Sequence, residues 1–145
     1  IGHPQEDEDR FNELLEFVQE FDFDRISLFA YSDEEDTSAY EMSDKVNEDE
    51  VTKRLEIIEK MVKAKHEKSL KNLLGKEIDI IIEGESSEGE FFMGARELAW
   101  APQIDGEILV NESDVGALEV GKSYKATIQE LVGDKLLATV TKTLF

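Results

Sequence analysis

At Gly75 the apolar residues stop recurring at helical spacing and begin to alternate, and this change of period constrains the fold more than any other feature of the chain. Five short runs follow in about 70 residues: Glu77 to Ile82, Glu90 to Ala95, Glu107 to Val110, Ser123 to Leu131 and Lys135 to Thr141. Turn signals lie between them at Glu83-Gly84, Glu88-Gly89, Asp105-Gly106, Val120-Gly121 and Gly133-Asp134. Short strands punctuated by glycine predict a small five-stranded, OB-like antiparallel β-barrel over residues 75–145. One connection is too long for a simple hairpin. The stretch ARELAWAPQIDGEILV, Ala95 to Val110, holds the only tryptophan, Trp100, one of two prolines, Pro102, and the Asp105-Gly106 turn signal.

Residues 1–74 have a different character. Phe11, Leu14, Leu15, Val18 and Phe21 recur at three- and four-residue spacing within Pro4 to Phe21, with acids on the other face, so this stretch predicts an amphipathic helix. RISLFAYS, Arg25 to Ser32, reads as a strand apolar enough to be buried on both faces. A polar loop leads to a long helix from about Glu48 to Leu74, with Asn47 as its N-cap and Glu50 three residues on. Acids open that helix and lysines close it, complementing its dipole. A lone strand leaves backbone N–H and C=O groups unpaired on both edges. Residues 1–74 therefore read as the tail of a larger α/β domain and the whole chain as a C-terminal fragment. The alternative is a chain that pairs this strand by dimerisation; no oligomer is otherwise expected.

Composition narrows the chemistry. The chain has no cysteine, which excludes disulfides, thiol nucleophiles and thiolate-held zinc or iron–sulfur centres within these residues, and which fits a cytoplasmic location. No apolar run approaches a membrane span. The two histidines, His3 and His66, have no cage-like spacing with acids, so no metal site is expected, and His66 reads as solvated among lysines. No Gly-rich phosphate loop, nucleophile elbow or EF-hand appears. The formal charge of −19 disfavours phosphate-seeking partners and favours a basic one.

Three segments together resemble the radical-SAM methylthiotransferases. IGHPQEDEDRF, Ile1 to Phe11, is similar to a family segment G-F-P-G-E-T-E-E-D-F through Gly2, Pro4, Glu6 and Phe11, with His3 and Gln5 departing. RISLFAYSDEEDTSAY, Arg25 to Tyr40, is similar to V-F-x-Y-S-x-E-x-G-T-x-A through Phe29, Tyr31, Ser32, Glu34 or Glu35, Thr37 and Ala39. There Asp33 stands where Pro is usual and Asp36 where Gly is usual. The third, the long helix running into LLGKEIDIIIEG, Leu73 to Gly84, resembles the family's lead into its TRAM domain. Within that domain R-x-x-x-x-A-P-x-I-D-G, carried by Arg96, Ala101, Pro102, Ile104, Asp105 and Gly106, resembles the segment between two strands in the branch that modifies a ribosomal protein.

The resemblance implies a closing α-β-α segment of a radical-SAM, TIM-like partial barrel over residues 1–74, followed by a TRAM domain. It implies two 4Fe-4S clusters and S-adenosylmethionine in the full-length enzyme, whose cluster cysteines are absent here, so this piece is expected to be inactive alone. The implied reaction adds a methylthio group to the β-carbon of an aspartate in a small-subunit ribosomal protein; the cousin branch modifies an adenosine of tRNA. By the same analogy Gly2, Glu6, Phe29 and Tyr31 lie at the S-adenosylmethionine cleft, although Phe29 could be core and Glu6 a helix N-terminal acid. Arg96, Trp100, Pro102 and Asp105 are the candidate substrate contacts; Trp100 could instead plug the barrel, and Arg96 form a strand-end salt bridge.

Charge separates the branches. Residues 75–145 hold 14 acids against 6 bases, a formal charge of −8. A barrel gripping RNA should show a basic groove with stacking aromatics. An acidic one suits a basic ribosomal protein. Lys122, Lys125, Lys135 and Lys142, all in or beside the last two strands, are the residues that could still make a local basic patch. A non-enzymatic acidic interaction module is the remaining alternative.

Overall fold

Asp7 sets the start of the first helix. Its carboxylate accepts from the Arg10 N–H at 2.9 Å, and α1 runs from Glu8 to Glu20 with Phe11 and Val18 buried. The expected start at Pro4 is four residues early, because Gln5 turns the chain with a positive φ of 68° that a helix cannot contain. In the second helix, α2 (Glu48–Lys71), the Asn47 side chain accepts from the Asp49 N–H at 2.8 Å, which confirms it as the N-cap. The computed structural model describes residues 1–102 and 104–144. Its chain forms two compact units, Ile1–His66 and Glu67–Phe145, whose boundary falls within α2.

In the first unit, Ile58 of α2 and Pro4 are fully buried, and Phe11 and Val18 are buried. The segment from Arg25 to Ser32 corrects the sequence reading. It forms no ladder, and Phe29 is 76% exposed rather than buried. Its partner is the first residue: the Ile1 ammonium donates to the Phe29 carbonyl at 2.8 Å and the Tyr31 N–H donates to the Ile1 carbonyl at 2.7 Å. One residue cannot build a sheet, so the apolar pattern finds no second face to pack against.

The second unit is a closed barrel of β1 (Glu77–Ser86), β2 (Gly89–Glu97), β3 (Ile108–Ser113), β4 (Ser123–Val132) and β5 (Lys135–Thr143), in the spatial order β1-β2-β3-β5-β4. Alternate residues point inward: Ile80 and Ile82, Ile108 and Val110, Tyr124, Ala126 and Ile128, and Leu136, Ala138 and Val140. Each buried Ile, Leu or Val contributes about 1.5–3 kcal/mol. Ala95, Ala126 and Ala138 keep the interior narrow enough for those side chains to fill it. Leu70, from the end of α2, joins the same cluster.

Two details differ from expectation. The sheet is mixed, because β3 pairs with β5 in parallel while the other four pairings are antiparallel. A ring with an odd number of strands cannot alternate direction all the way round, so one pair must be parallel. Glu83-Gly84 is not a turn either. The β1–β2 register shifts between Ile82 and Gly84, so Gly84, at a φ of 142°, lies in a bulge and β1 continues to Ser86. The hairpin loop is Ser87-Glu88.

Candidate functional site

Around the first six residues a carboxylate, a guanidinium and a glycine interlock. Gly2 has a φ of 85°, and its N–H donates to Glu6 Oε1 at 3.0 Å. The same oxygen accepts from the Arg54 guanidinium at 3.0 Å. Arg54 also donates to the Glu6 carbonyl at 2.5 Å and to Glu50 at 3.1 Å, and its plane lies 5.2 Å from the Phe11 ring centre. Arg54 is only 6% exposed, so its charge depends on these partners. Glu6 is therefore committed to holding the turn. Arg54 escaped the sequence reading, since a lone arginine inside a charged helix gives no signal until tertiary structure surrounds it.

The two departures from the family's glycines fall on the chain's two non-glycine residues of positive φ among those described, Gln5 at 68° and Asp36 at 65°. The backbone at both positions is left-handed. Asp tolerates it comparatively well, and Gln less so.

Phe29 and Tyr31 lie beside Ile1 but have different surroundings. Phe29 is exposed. Tyr31 packs edge-on against His3 with ring centres 5.3 Å apart and donates to Asp33 at 2.8 Å. Lys45 closes the loop over this tyrosine by pairing with Asp33, donating to the Ala39 carbonyl at 2.8 Å and lying 5.5 Å and 5.6 Å from the Tyr31 and Tyr40 ring centres. His66 is half-buried rather than solvated, and its Nδ1 is shielded with no hydrogen-bond partner.

In the second unit the long β2–β3 connection is fastened from both ends. Arg96 donates to Glu83 at 2.8 Å, making the strand-end ion pair, and to the Trp100 carbonyl at 2.9 Å. Asp105 accepts from the Ala101 N–H at 2.7 Å. Trp100 is partly buried and packs against the barrel core, while Pro102 and Ile104 face solvent. Arg96, Trp100 and Asp105 thus shape the loop, and its exposed apolar side chains lie between them.

The barrel's cations are largely neutralised by its own carboxylates. Lys122 pairs with Glu119 at 2.8 Å, and Lys125 with Asp79 at 2.9 Å and Glu77 at 3.5 Å. Lys135 pairs with Glu88 at 2.6 Å and Glu107 at 3.0 Å. The hydrogen bond to Asp79 raises the Lys125 ammonium above its usual value, and the one to Glu88 does the same for Lys135. Burial alone would raise the Glu107 carboxyl. Hydrogen bonds from the Ser87 hydroxyl and N–H, at 2.6 Å and 3.0 Å, and the Lys135 ammonium outweigh that and hold it below the usual range.

No group of three His, Cys, Asp or Glu among the described residues could hold a metal ion, and no helix among them is long and apolar enough to cross a membrane. With no cysteine in the chain, its residues do not fit an iron–sulfur cluster.

The fold and these residues define a barrel of known class. Residues 74–141 match the family described as the TRAM domain. Beyond the barrel, nearly the whole chain is similar to one group of enzymes. It is 48% identical over 140 residues to the ribosomal protein uS12 methylthiotransferase RimO of a Nitratiruptor species, covering 97% of this chain and 32% of that protein. It is 48% identical over 142 residues to RimO of Wolinella succinogenes, covering 98% and 32%, and 51% identical over 138 residues to RimO of Campylobacter jejuni, covering 95% and 31%. The chain is RimO-like, with a TRAM domain, and spans about a third of the length of these relatives.

Proposed function

We propose that this chain belongs to a radical-SAM methylthiotransferase acting on ribosomal protein uS12, and that its barrel docks that basic protein rather than RNA. The observation carrying this reading is the pairing of Lys122, Lys125 and Lys135 with neighbouring carboxylates in a barrel whose formal charge is −8. Cations already neutralised this way offer little to a phosphate backbone. The acidic field that remains speeds encounter with a basic protein and repels nucleic acid. Similarity to RimO over nearly all of the chain supports the same reading.

In this reading the methylthio group goes to the β-carbon of an aspartate, in the cytoplasm. Residues outside this chain would hold the two 4Fe-4S clusters, which with S-adenosylmethionine would supply the radical chemistry, so the 145 residues, having no cysteine, are expected to be inactive alone. Phe29 and the backbone at Gly2 and Tyr31 are the groups that would face S-adenosylmethionine. Glu6 fixes Gly2 in place. Pro102 meets the protein substrate on a loop that Arg96, Trp100 and Asp105 hold in shape.

The test is a titration of the chain at several salt concentrations, against ribosomal protein uS12 and separately against a tRNA. Saturable, salt-weakened binding to the protein alone is expected. Binding to the tRNA alone overturns the reading in favour of a tRNA-modifying relative.

A further inference from the structure

The β2–β3 pairing is short. It consists of Met93↔Val110, Gly94↔Leu109 and Ala95↔Ile108, although β2 begins at Gly89 and β3 runs on to Ser113. On the other side of β2, Ser86 pairs with Gly89 and Glu85 with Met93, so Glu90, Phe91 and Phe92 leave that ladder as well. The result is a three-residue bulge without ladder partners on either side, beside a groove of about 210 Å³ lined by β2, β3 and the loop that follows β3. Asn111, at the register shift on the opposite side of the groove, has no ladder partner.

The groove has a definite chemical character. Glu90 lines one side and Glu112 the other, no cation lines it, and Leu118 supplies apolar surface. Neither carboxylate has an ion-pair partner among the described residues; Glu112 has only a 3.5 Å contact from the Thr139 hydroxyl. The bulge also presents Phe91, which is 91% exposed, more than any other large apolar side chain described. Such a ring contributes little to folding but is well suited to anchor a partner. Open strand edges accept an extended segment through main-chain hydrogen bonds.

We infer that the groove between β2 and β3 is where an extended, Lys- or Arg-bearing segment of the protein substrate docks, its cations meeting Glu90 and Glu112 and an apolar or guanidinium group covering Phe91. This rests on the reading that the barrel docks a basic protein, and adds the surface at which it does so. The partner's chemistry follows from charge complementarity: two unneutralised carboxylates flank an exposed ring that attracts cations as well as apolar groups.

The experiment measures binding of ribosomal protein uS12 to the whole chain and three variants, with backbone amide shifts followed on the labelled chain. Phe91→Ser removes the anchor at an exposed site, the pair Glu90→Gln and Glu112→Gln removes the groove's charge, and Glu130→Gln removes an exposed acid of β4 outside it. Phe91→Ser is expected to weaken binding by about 10-fold, as for an interface anchor. The paired variant should weaken it and flatten its salt dependence, with Glu130→Gln unchanged and amide shifts clustered at 90–93 and 111–113. Undiminished binding in the Phe91 and paired variants overturns the groove and leaves protein docking intact. A wild-type chain that does not bind uS12 overturns both. A tRNA that shifts the groove amides where uS12 does not overturns the groove as a protein site.

Discussion

Replacing Trp100 with alanine separates a packing role from a docking role. The indole is partly buried and packs against the barrel core, and the backbone carbonyl of the same residue accepts from Arg96 at 2.9 Å, a bond that the substitution leaves in place. A large aromatic side chain buries about 150–250 Å², and at about 25 cal/mol per Å² the lower figure corresponds to roughly 4 kcal/mol. Trp100 lies at the core's edge, where the loop can partly collapse into the vacated space, so the expected cost is about 2 kcal/mol. For a unit of this size each kcal/mol shifts Tm by roughly 4–8 °C, giving a fall of about 8–16 °C. Calorimetry suits this variant, because the chain has only one tryptophan and its indole fluorescence is lost with the substitution. A fall under about 2 °C together with weakened binding of uS12 would refute the packing argument and make Trp100 a docking anchor.

Three further expectations follow from named contacts. Gly2→Ala places a Cβ 2.4 Å from a Val51 methyl at a φ of 85°, so it should destabilise the first unit by about 2 kcal/mol or more, measurable by urea denaturation. Gln5→Gly should act in the opposite sense, because glycine relieves the left-handed strain at a φ of 68°; a gain of about 0.5–1 kcal/mol is expected after its larger unfolded-state entropy, and a loss of stability would contradict the strain argument. The Glu107 carboxyl is held below its usual range in the folded barrel, so its contribution is complete above about pH 4.3 and is lost as the pH falls through the lower folded value. Glu107→Gln should therefore lower stability at neutral pH and flatten the acid limb of a Tm-against-pH curve.

Much of the barrel was legible in local pattern. Alternation at Ile80 and Ile82, or at Leu136, Ala138 and Val140, specifies which face turns inward, and each strand reports it independently. Helix ends were readable where a side chain caps its own backbone, as at Asn47. Gly84 misled because glycine serves a bulge as well as a turn, and only the register with β2 distinguishes them. Arg25 to Ser32 misled because apolar content reports what a segment could bury, whereas sheet formation depends on neighbours.

The sequence by itself determined the change from helical to alternating period, the acidic balance, the absence of thiolate ligands and the positions that carry the resemblance to a family pattern. Tertiary structure alone decided that Glu6 and Arg54 hold each other, that Gln5 and Asp36 take a left-handed conformation, that Lys122, Lys125 and Lys135 are neutralised by neighbouring acids, and that Phe91 stands free beside a groove. The division has a physical basis: backbone propensity and side-chain period act over a few residues, whereas ion pairing, desolvation and ring closure depend on groups tens of residues apart that meet only when the chain folds.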